Sequence, residues 1–146
     1  MEINEYLYKL IRITRVFERF DYFKEKTNFE KTEYRLLREI LMERNRGEQI
    51  ISSELARRLG VTRSAVSQIV TKLERDGIVK RMASSTDRKI AYIELTPNVA
   101  NELEKQIDDA NAFMEKVVEV FGDERMKSYL QETDELFRVI DEIKNK

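Results

Sequence analysis

The chain has 146 residues, enough for one domain with a hydrophobic core, and its formal net charge is −1. Charged residues make up 38% of the sequence, whereas it contains only 4 Gly and 1 Pro, a composition that favours long helices. Because the sequence has no Cys and no His, it excludes disulfides, thiol nucleophiles, serine–histidine triads and zinc sites built from thiolate and imidazole.

The hydropathy pattern argues against membrane insertion. No apolar run approaches the ~20 residues that a membrane-spanning helix needs, and the N-terminal MEINEYLYK lacks the basic-then-apolar order of a signal peptide. We therefore expect a cytoplasmic protein that has no contact with membranes. We also expect that it is not an enzyme and holds no metal and no cofactor.

The first predicted element is an N-terminal helix with two apolar rows. One row contains Ile3, Leu7, Leu10, Ile11, Thr14 and Phe17, and the other contains Ile13, Val16, Phe20 and Phe23. A helix with two apolar rows should be buried on both sides. A second helix follows, for which Thr32 is a candidate N-cap and Gly47 a candidate terminator.

Residues of about 52–76 follow the pattern of a helix, a tight turn and a second helix. Gly60 stands where the chain must turn sharply, a position that favours a positive φ and therefore glycine. Thr62 can cap the second helix with its hydroxyl. In that helix the apolar residues recur at the spacing of one buried face: Val66, Ile69, Val70 and Leu73.

The opposite face of this second helix is polar and contains no carboxylate. At about 100° per residue, it contains Ser64, Ser67, Gln68, Thr71 and Arg75, with Arg63 and Lys72 at its borders. Hydroxyls, an amide and cations are the groups that bind base edges and phosphates in a DNA major groove. The pattern therefore predicts a DNA-reading helix.

Two short β-rich runs between about residues 78 and 95 predict a hairpin. The polar loop that joins them presents Arg88 and Lys89, and a protruding basic hairpin can reach a narrow minor groove. Asp87 either orients Arg88 or fixes the turn through its own side chain. From Ser52 to Tyr92 there are nine basic and four acidic residues, a net charge of +5, so the remainder of the chain carries −6. This asymmetry favours a polyanion as the partner of the middle segment.

Two more helices are predicted in the C-terminal third. Thr96 and Pro97 form an N-cap and first-turn pair, and after Gly122 the residue Asp123 is a candidate cap for the last helix. The last helix carries an apolar seam close to a heptad. Such seams pack either against another helix of the same chain or against a second copy of it.

The run ELARRLGVTRSAVSQIVTKLERDGIVKR, followed by STDRKIAYIELT, resembles the winged helix-turn-helix of MarR-type transcriptional regulators. The segment Asp87-Arg88-Lys89, which leads into a strand and Leu95-Thr96, is similar to the wing signature of that family. The resemblance implies a single domain, mainly α with a small β-hairpin wing. In it, residues 30–96 form the winged lobe, and residues 1–29 and 97–146 form dimerisation helices.

The same resemblance implies a homodimer that binds a pseudo-palindromic operator in double-stranded DNA, most often as a repressor, with recognition helices in major grooves about one turn (~34 Å) apart. Arg63, Ser64, Ser67 and Gln68 would lie over base edges, and Arg88 and Lys89 would approach the minor groove, supported by Asp87. The expected backbone contacts are Ser52, Thr62, Thr71, Lys72 and Arg75.

Members of this family are often released from DNA by a small aromatic or apolar effector. Several aromatic residues either belong to the core or line a pocket for such a molecule: Tyr6, Tyr8, Phe20, Tyr22, Phe23, Tyr34 and Phe113. Their helical spacing is more typical of a core, so the sequence assigns no effector-binding residue. Sensing through Cys or through His–metal sites is excluded by composition.

Two other functions can be weighed against DNA binding. The adjacent Asp108 and Asp109 are the nearest candidates for a metal-dependent enzyme site, but neighbouring helical residues point about 100° apart and do not converge on one ion. A winged helix can also serve as a protein–protein interaction module without specific DNA readout. Salt-insensitive binding to a protein would support that alternative, whereas steep loss of duplex affinity with added salt would support DNA binding.

Overall fold

The computed structural model describes residues 2–19 and 28–146. Within those ranges the chain forms six helices and three short strands, in the order α1 (Glu5–Arg19), α2 (Lys31–Asn45), β1 (Ile50–Ile51), α3 (Ser52–Leu59), α4 (Arg63–Arg75), β2 (Val79–Ala83), β3 (Ala91–Leu95), α5 (Pro97–Phe121) and α6 (Asp123–Lys144). This order confirms the predicted fold class, which is mainly helical with a small β-hairpin wing and a helix-turn-helix.

The chain divides into two compact units, Met1–Gln106 and Ile107–Lys146. The first unit contains α1 through β3 and the first part of α5, and therefore holds the whole helix-turn-helix and the wing. The second unit contains the remainder of α5 and all of α6. The boundary falls inside α5, so this one helix supplies residues to both units.

The sheet has one strand that the sequence pattern did not predict. Its order is β1-β3-β2, and both pairings are antiparallel. The hairpin pairs Val79 with Leu95 and Ala83 with Ala91, while β1 pairs Ile50 with Ile93. Because β1 is only two residues long, it has no alternation that a sequence pattern could reveal. Its position makes β3 the central strand of the winged lobe.

The hydrophobic core of the winged lobe is built by α2, α3, α4 and the sheet. Side chains from all four contributors are less than 2% exposed: Leu36, Leu55, Leu73, Ile93, Val66, Val70 and Val79. Each of these side chains supplies roughly 1.5–3 kcal/mol of burial free energy. The core therefore holds α4 by one face only and determines which face is left outside.

The turn of the helix-turn-helix has the predicted chemistry. Gly60 adopts the left-handed conformation at φ 66° after α3, where a side chain would strain the backbone. The Thr62 hydroxyl oxygen accepts a hydrogen bond from the Ala65 N–H at 3.1 Å, as expected of an N-cap. These two residues fix the direction in which α4 leaves the turn.

Two other helix starts differ from the predictions, whereas α5 begins at Pro97, directly after Thr96, as predicted. The N-cap of α2 is Glu30, so Thr32 lies inside the first turn, and the N-cap of α6 is Gly122, which makes Asp123 its first residue. The Thr96 hydroxyl donates to the backbone carbonyls of Gly77 and Ile78, at 2.8 and 3.2 Å. This hydroxyl therefore ties the start of α5 to the segment between α4 and β2.

A charged cluster joins α2 to α3. The Arg58 guanidinium contacts Glu43 at 2.7 Å and Glu54 at 2.9 Å, and it lies 3.3 Å from Glu39. Hydrogen bonds from Arg57 and then Arg58 lower the pKa of the Glu54 carboxyl to about 2. Since the Glu43 side chain is almost completely buried, its pairing with Arg58 avoids an isolated charge in the lobe.

The apolar rows of α1 remain exposed within a single chain. None of its residues is buried, and Leu7, Val16 and Phe17 are each at least half exposed. The expectation that both sides of this helix are buried is therefore not met by one chain alone. The predicted row members Phe20 and Phe23 lie outside the described residues.

Candidate nucleic-acid interface

The second helix of the helix-turn-helix, α4, has one buried face and one exposed face. Val66 and Val70 are 0% exposed and Leu73 is 1% exposed. The residues of the opposite side are all exposed: Arg63, Ser64, Ser67, Gln68, Thr71, Lys72 and Arg75. We refer to these seven residues as the polar strip. The predicted division of the helix into two faces is confirmed.

The N-terminal half of the polar strip carries unoccupied hydrogen-bonding groups. Four side chains form no hydrogen bond or ion pair within the described part of the chain: Arg63, Ser64, Ser67 and Gln68. They are the four residues that the sequence assigned to base edges. Donors and acceptors that are exposed and unpaired are available to an external ligand.

The side chains in the C-terminal half of the polar strip form hydrogen bonds and ion pairs with other residues of the lobe. Lys72 Nζ forms an ion pair with the buried carboxylate of Glu33 on α2, which raises the pKa of the Lys72 ammonium. Arg75 Nε lies 3.5 Å from Asp76 Oδ1, and the Thr71 hydroxyl donates to the Ser67 carbonyl at 2.8 Å. The Lys72–Glu33 ion pair therefore joins α4 to α2, whereas the contacts of Arg75 and Thr71 are local.

The two remaining residues assigned to backbone contacts lie at helix starts. Ser52 is the first residue of α3 and is half-buried, while Ile51 occupies the N-cap position. Thr62 is exposed, and its hydroxyl oxygen already accepts the Ala65 N–H. Both residues are near backbone N–H groups of a helix N-terminus, which favour anions such as phosphate.

The wing loop is held by its own side chains. Asp87 Oδ1 accepts a hydrogen bond from the Lys89 N–H at 2.9 Å, and Ser84 Oγ accepts one from the Asp87 N–H at 3.3 Å. Of the two roles considered for Asp87, the structure shows the turn-fixing one. The side chains of Arg88 and Lys89 are exposed and make no hydrogen bond or ion pair to any described residue.

One residue with a clear role in this region had no sequence signal. Arg81 on β2 donates from its backbone N–H and from Nη1 to the Glu74 carboxylate, at 3.0 and 2.8 Å. Its Nη2 reaches the Thr71 hydroxyl at 3.0 Å and the Ser67 carbonyl at 3.3 Å. Because these contacts join a strand to a helix 7–14 positions earlier in the chain, neither helical nor strand periodicity reveals them.

A groove of about 570 Å³ lies between α1 and α2. Seven residues line it: Thr14, Phe17, Glu18, Lys31, Tyr34, Arg35 and Arg38. The Arg38 guanidinium lies over the Tyr34 ring, 5.8 Å from its centroid. Of the aromatic residues considered for a pocket, Tyr34 is therefore at the groove, whereas Phe20, Tyr22 and Phe23 lie outside the described residues.

The described residues form neither a membrane-spanning helix nor an acidic metal-binding cluster. None of the described helices is both long and apolar enough to cross a membrane. Residues 2–19 and 28–146 contain no group of three or more acidic side chains placed to hold a metal ion. The pair Asp108 and Asp109 accordingly belongs to no such group.

Sequence comparison matches residues 28–90 to the MarR family model. A curated relative, the HTH-type transcriptional repressor YetL of Bacillus subtilis (strain 168), is 29% identical over 85 residues. That alignment covers 58% of this chain and 51% of the relative. The matched part thus spans about half the length of the relative.

Solved structures share the fold over nearly the whole chain. NMB1585, a MarR family regulator from Neisseria meningitidis, superposes with a TM-score of 0.72 at 19% identity, covering 99% of this chain and 100% of that one. MepR of S. aureus in its DNA-binding conformation superposes with a TM-score of 0.70 at 16% identity, covering 94% of this chain and 99% of that one. NadR in complex with 4-hydroxyphenylacetate superposes with a TM-score of 0.67 at 21% identity, covering 93% of this chain and 94% of that one. Residues 28–90 are therefore similar in sequence to the MarR family, and the chain shares the winged helix-turn-helix fold of these solved structures.

Proposed function

We propose that the chain binds double-stranded DNA sequence-specifically, as a homodimer on a pseudo-palindromic operator, and represses transcription there. The observation that carries this proposal is the polar strip of α4. Its N-terminal half offers hydroxyl, amide and guanidinium groups that have no partner among the described residues, and it contains no carboxylate. An α-helix fits the major groove, where these groups can distinguish base pairs. The similarity to a curated repressor supports repression as the direction of regulation.

Each part of the interface has a distinct task in this proposal. The residues at the start of α4 contact base edges, because their side chains are exposed and have no partner within residues 2–19 and 28–146: Arg63, Ser64, Ser67 and Gln68. Arg88 enters the flanking minor groove with Lys89 beside it. Contacts to phosphates position the lobe without reading sequence. The residues proposed for these contacts are Ser52, Thr62, Thr71, Lys72 and Arg75.

The alternative of a protein–protein module is less consistent with the charges. Arg63, Arg88 and Lys89 are exposed cations without an intramolecular carboxylate partner among the described residues. Three unneutralised cations around a strip without a carboxylate suit a polyanion better than a neutral protein surface. The salt dependence of binding separates the two functions.

The apolar faces of α1 and α6 support the homodimer. On α6, Leu130 and Phe137 are more than half exposed and lie seven residues apart on one side of the helix. On α1, Leu7, Val16 and Phe17 are similarly exposed. Exposed apolar surface of this kind marks interaction sites in soluble proteins, and a second copy of the chain would cover it symmetrically.

We expect Gln68→Ala to change sequence preference without abolishing duplex binding. A preferred duplex is first selected from a random pool with the full chain, and affinities are then measured by fluorescence anisotropy over a range of salt concentrations. The variant should lose about 1–3 kcal/mol of discrimination at one base pair in each half-site, while its affinity for unrelated duplexes stays the same. Gln131→Ala, the same change on the exposed part of α6, is the control. Binding that does not weaken with added salt would contradict the proposal.

For the wing, Arg88→Ala should weaken binding to duplexes with A·T-rich flanks more than to duplexes with G·C-rich flanks. The reason is that a narrow A·T minor groove attracts an inserted guanidinium. The measurement is the same anisotropy titration with matched flanks, together with a hydroxyl-radical footprint. Arg46→Ala removes an equal charge from the far end of α2 and serves as the control. An unchanged footprint would remove the wing from the interface.

The homodimer can be tested by analytical ultracentrifugation at micromolar concentration. The full chain should sediment as a dimer, and Phe137→Asp should shift it towards monomer, because a carboxylate would have to be buried in an apolar interface. Gln131→Asp adds the same charge on the opposite side of α6 and should leave the dimer intact. A wild-type chain that is a folded monomer would contradict this part of the proposal.

Effector binding is a second property that one observation favours. The groove between α1 and α2 combines the rings of Phe17 and Tyr34 with the guanidinium groups of Arg35 and Arg38. Aromatic rings and cations together suit a small aromatic carboxylate. One structural neighbour, NadR, was solved in complex with 4-hydroxyphenylacetate. We propose that a molecule of this class binds in the groove and releases the protein from DNA.

The groove can be probed with 4-hydroxyphenylacetate itself. Calorimetric titration should detect binding to the full chain, and addition of the acid to the protein–duplex complex should lower anisotropy. Arg38→Gln should weaken binding by about tenfold, which is the loss of one charge-assisted hydrogen bond. Arg46→Gln is the control. Binding that both variants leave equally strong would place the molecule elsewhere.

A further inference from the structure

Arg81 on β2 connects the wing to α4, the proposed recognition helix, through its side chain and its backbone N–H. Its backbone N–H and Nη1 bind the two oxygens of Glu74, and its Nη2 binds both the Thr71 hydroxyl and the Ser67 carbonyl. The Thr71 hydroxyl in turn donates to the same Ser67 carbonyl at 2.8 Å. We name this set of four residues the Arg81 clamp.

The clamp extends along α4. Residues 67, 71 and 74 are separated by four and three positions, so they lie on adjacent turns of one side of the helix, over about 10 Å. The planar guanidinium presents donors on both arms and can bind Glu74 and Thr71 at the same time, which a lysine ammonium cannot do with this geometry. Ser67, whose carbonyl is the last acceptor, also carries a hydroxyl on the polar strip.

The clamp also determines which groups remain available to DNA. Glu74 is the carboxylate on α4 nearest to the wing strand, and Arg81 neutralises it at 2.8 Å. The Thr71 hydroxyl uses its hydrogen for Ser67 and accepts from Arg81, so it serves the clamp inside the lobe. The sequence assigned Thr71 to the DNA backbone, and that assignment stays an untested prediction.

We propose that Arg81 is a positioning residue that fixes the wing relative to the recognition helix, so that both reach their grooves together. The inference rests on the proposed DNA binding and deepens it. Two contact elements held in one geometry bind without an additional entropic cost of ordering, whereas a loosely connected wing must be ordered on binding. The clamp therefore contributes to specific affinity through pre-organisation and makes no base contact of its own.

The first test compares Arg81→Lys with the wild type on the selected duplex and on an unrelated one. The variant keeps the positive charge, so the salt dependence and the affinity for the unrelated duplex should be unchanged. Affinity for the selected duplex should fall by about tenfold, the loss of one hydrogen bond to a charged group. Thr71→Val, which keeps shape but removes the hydroxyl, should shift affinity in the same direction. Lys80→Arg, a conservative change at the neighbouring position of β2, is the matched control.

The second test requires no DNA. Because the sequence has no Cys, spin labels can be attached at Ser64→Cys on α4 and Ser85→Cys in the wing loop. In labelled protein diluted with excess unlabelled chain, electron–electron double resonance should give a narrow distance distribution. Adding Arg81→Lys should broaden this distribution, while circular dichroism and the melting temperature show that the lobe stays folded.

The outcomes distinguish this inference from the proposed function. If wild type binds the selected duplex but Arg81→Lys binds it equally well, the clamp inference is overturned while DNA binding stands. Equal losses on both duplexes would also overturn it, because they indicate a purely structural role. A wild-type chain that binds no duplex would overturn both proposals. An unbroadened distance distribution in Arg81→Lys would contradict the clamp whatever the DNA result.

Discussion

The burial of one face of α4 is the constraint on which the rest of the interface depends. Val66, Val70 and Leu73 are almost completely buried in the core of the winged lobe. Their removal from water favours a single rotation of the helix about its axis. The opposite residues are then exposed by geometry and need no interaction of their own to point outward. A slip of one residue, about 100°, would bring Ser67 into the core and Val66 to the surface. The core thus determines which residues form the polar strip.

The distribution of ion pairs determines the net charge of the surface around the polar strip. Three carboxylates of the lobe are matched to cations: Glu33 to Lys72, Glu74 to Arg81 and Glu54 to Arg57 and Arg58. These pairs remove negative charge from the surroundings of the polar strip and leave Arg63, Arg88 and Lys89 unneutralised among the described residues. The lobe acquires a positive surface although the whole chain is slightly acidic. The exposed pairs among them contribute little to stability, so their main effect is on the electrostatic field that an approaching polyanion would meet.

Sequence patterns predicted those features that depend on local chemistry. The two faces of α4, the Gly60 turn, the Thr62 cap and the hairpin all follow from periodicity, a positive φ or a side-chain oxygen that can accept a nearby backbone N–H. Features that depend on contacts between distant residues were not predictable. Lys72 and Glu33 are 39 positions apart, and β1 gains its strand character only by pairing with β3. Arg81 belongs to the same group, because a basic residue in a strand does not indicate which carboxylate it will bind.

The exposed apolar side chains of α1 and α6 bear on how a homodimer would bind two DNA half-sites under the proposed function. Within one chain the winged lobe has a complete core, whereas α1 contributes no buried residue and neither does α6. The apolar side chains of the lobe are already buried when one chain folds. Burial of the exposed apolar side chains of α1 and α6 can therefore still contribute free energy to the association of two chains. In the proposed homodimer, the core of each lobe would fix the geometry of its polar strip. The packing of α1 and α6 between the two copies would set the spacing between the half-sites. Under the proposed function, a ligand that altered the packing of α1 would change that spacing and leave the polar strip intact.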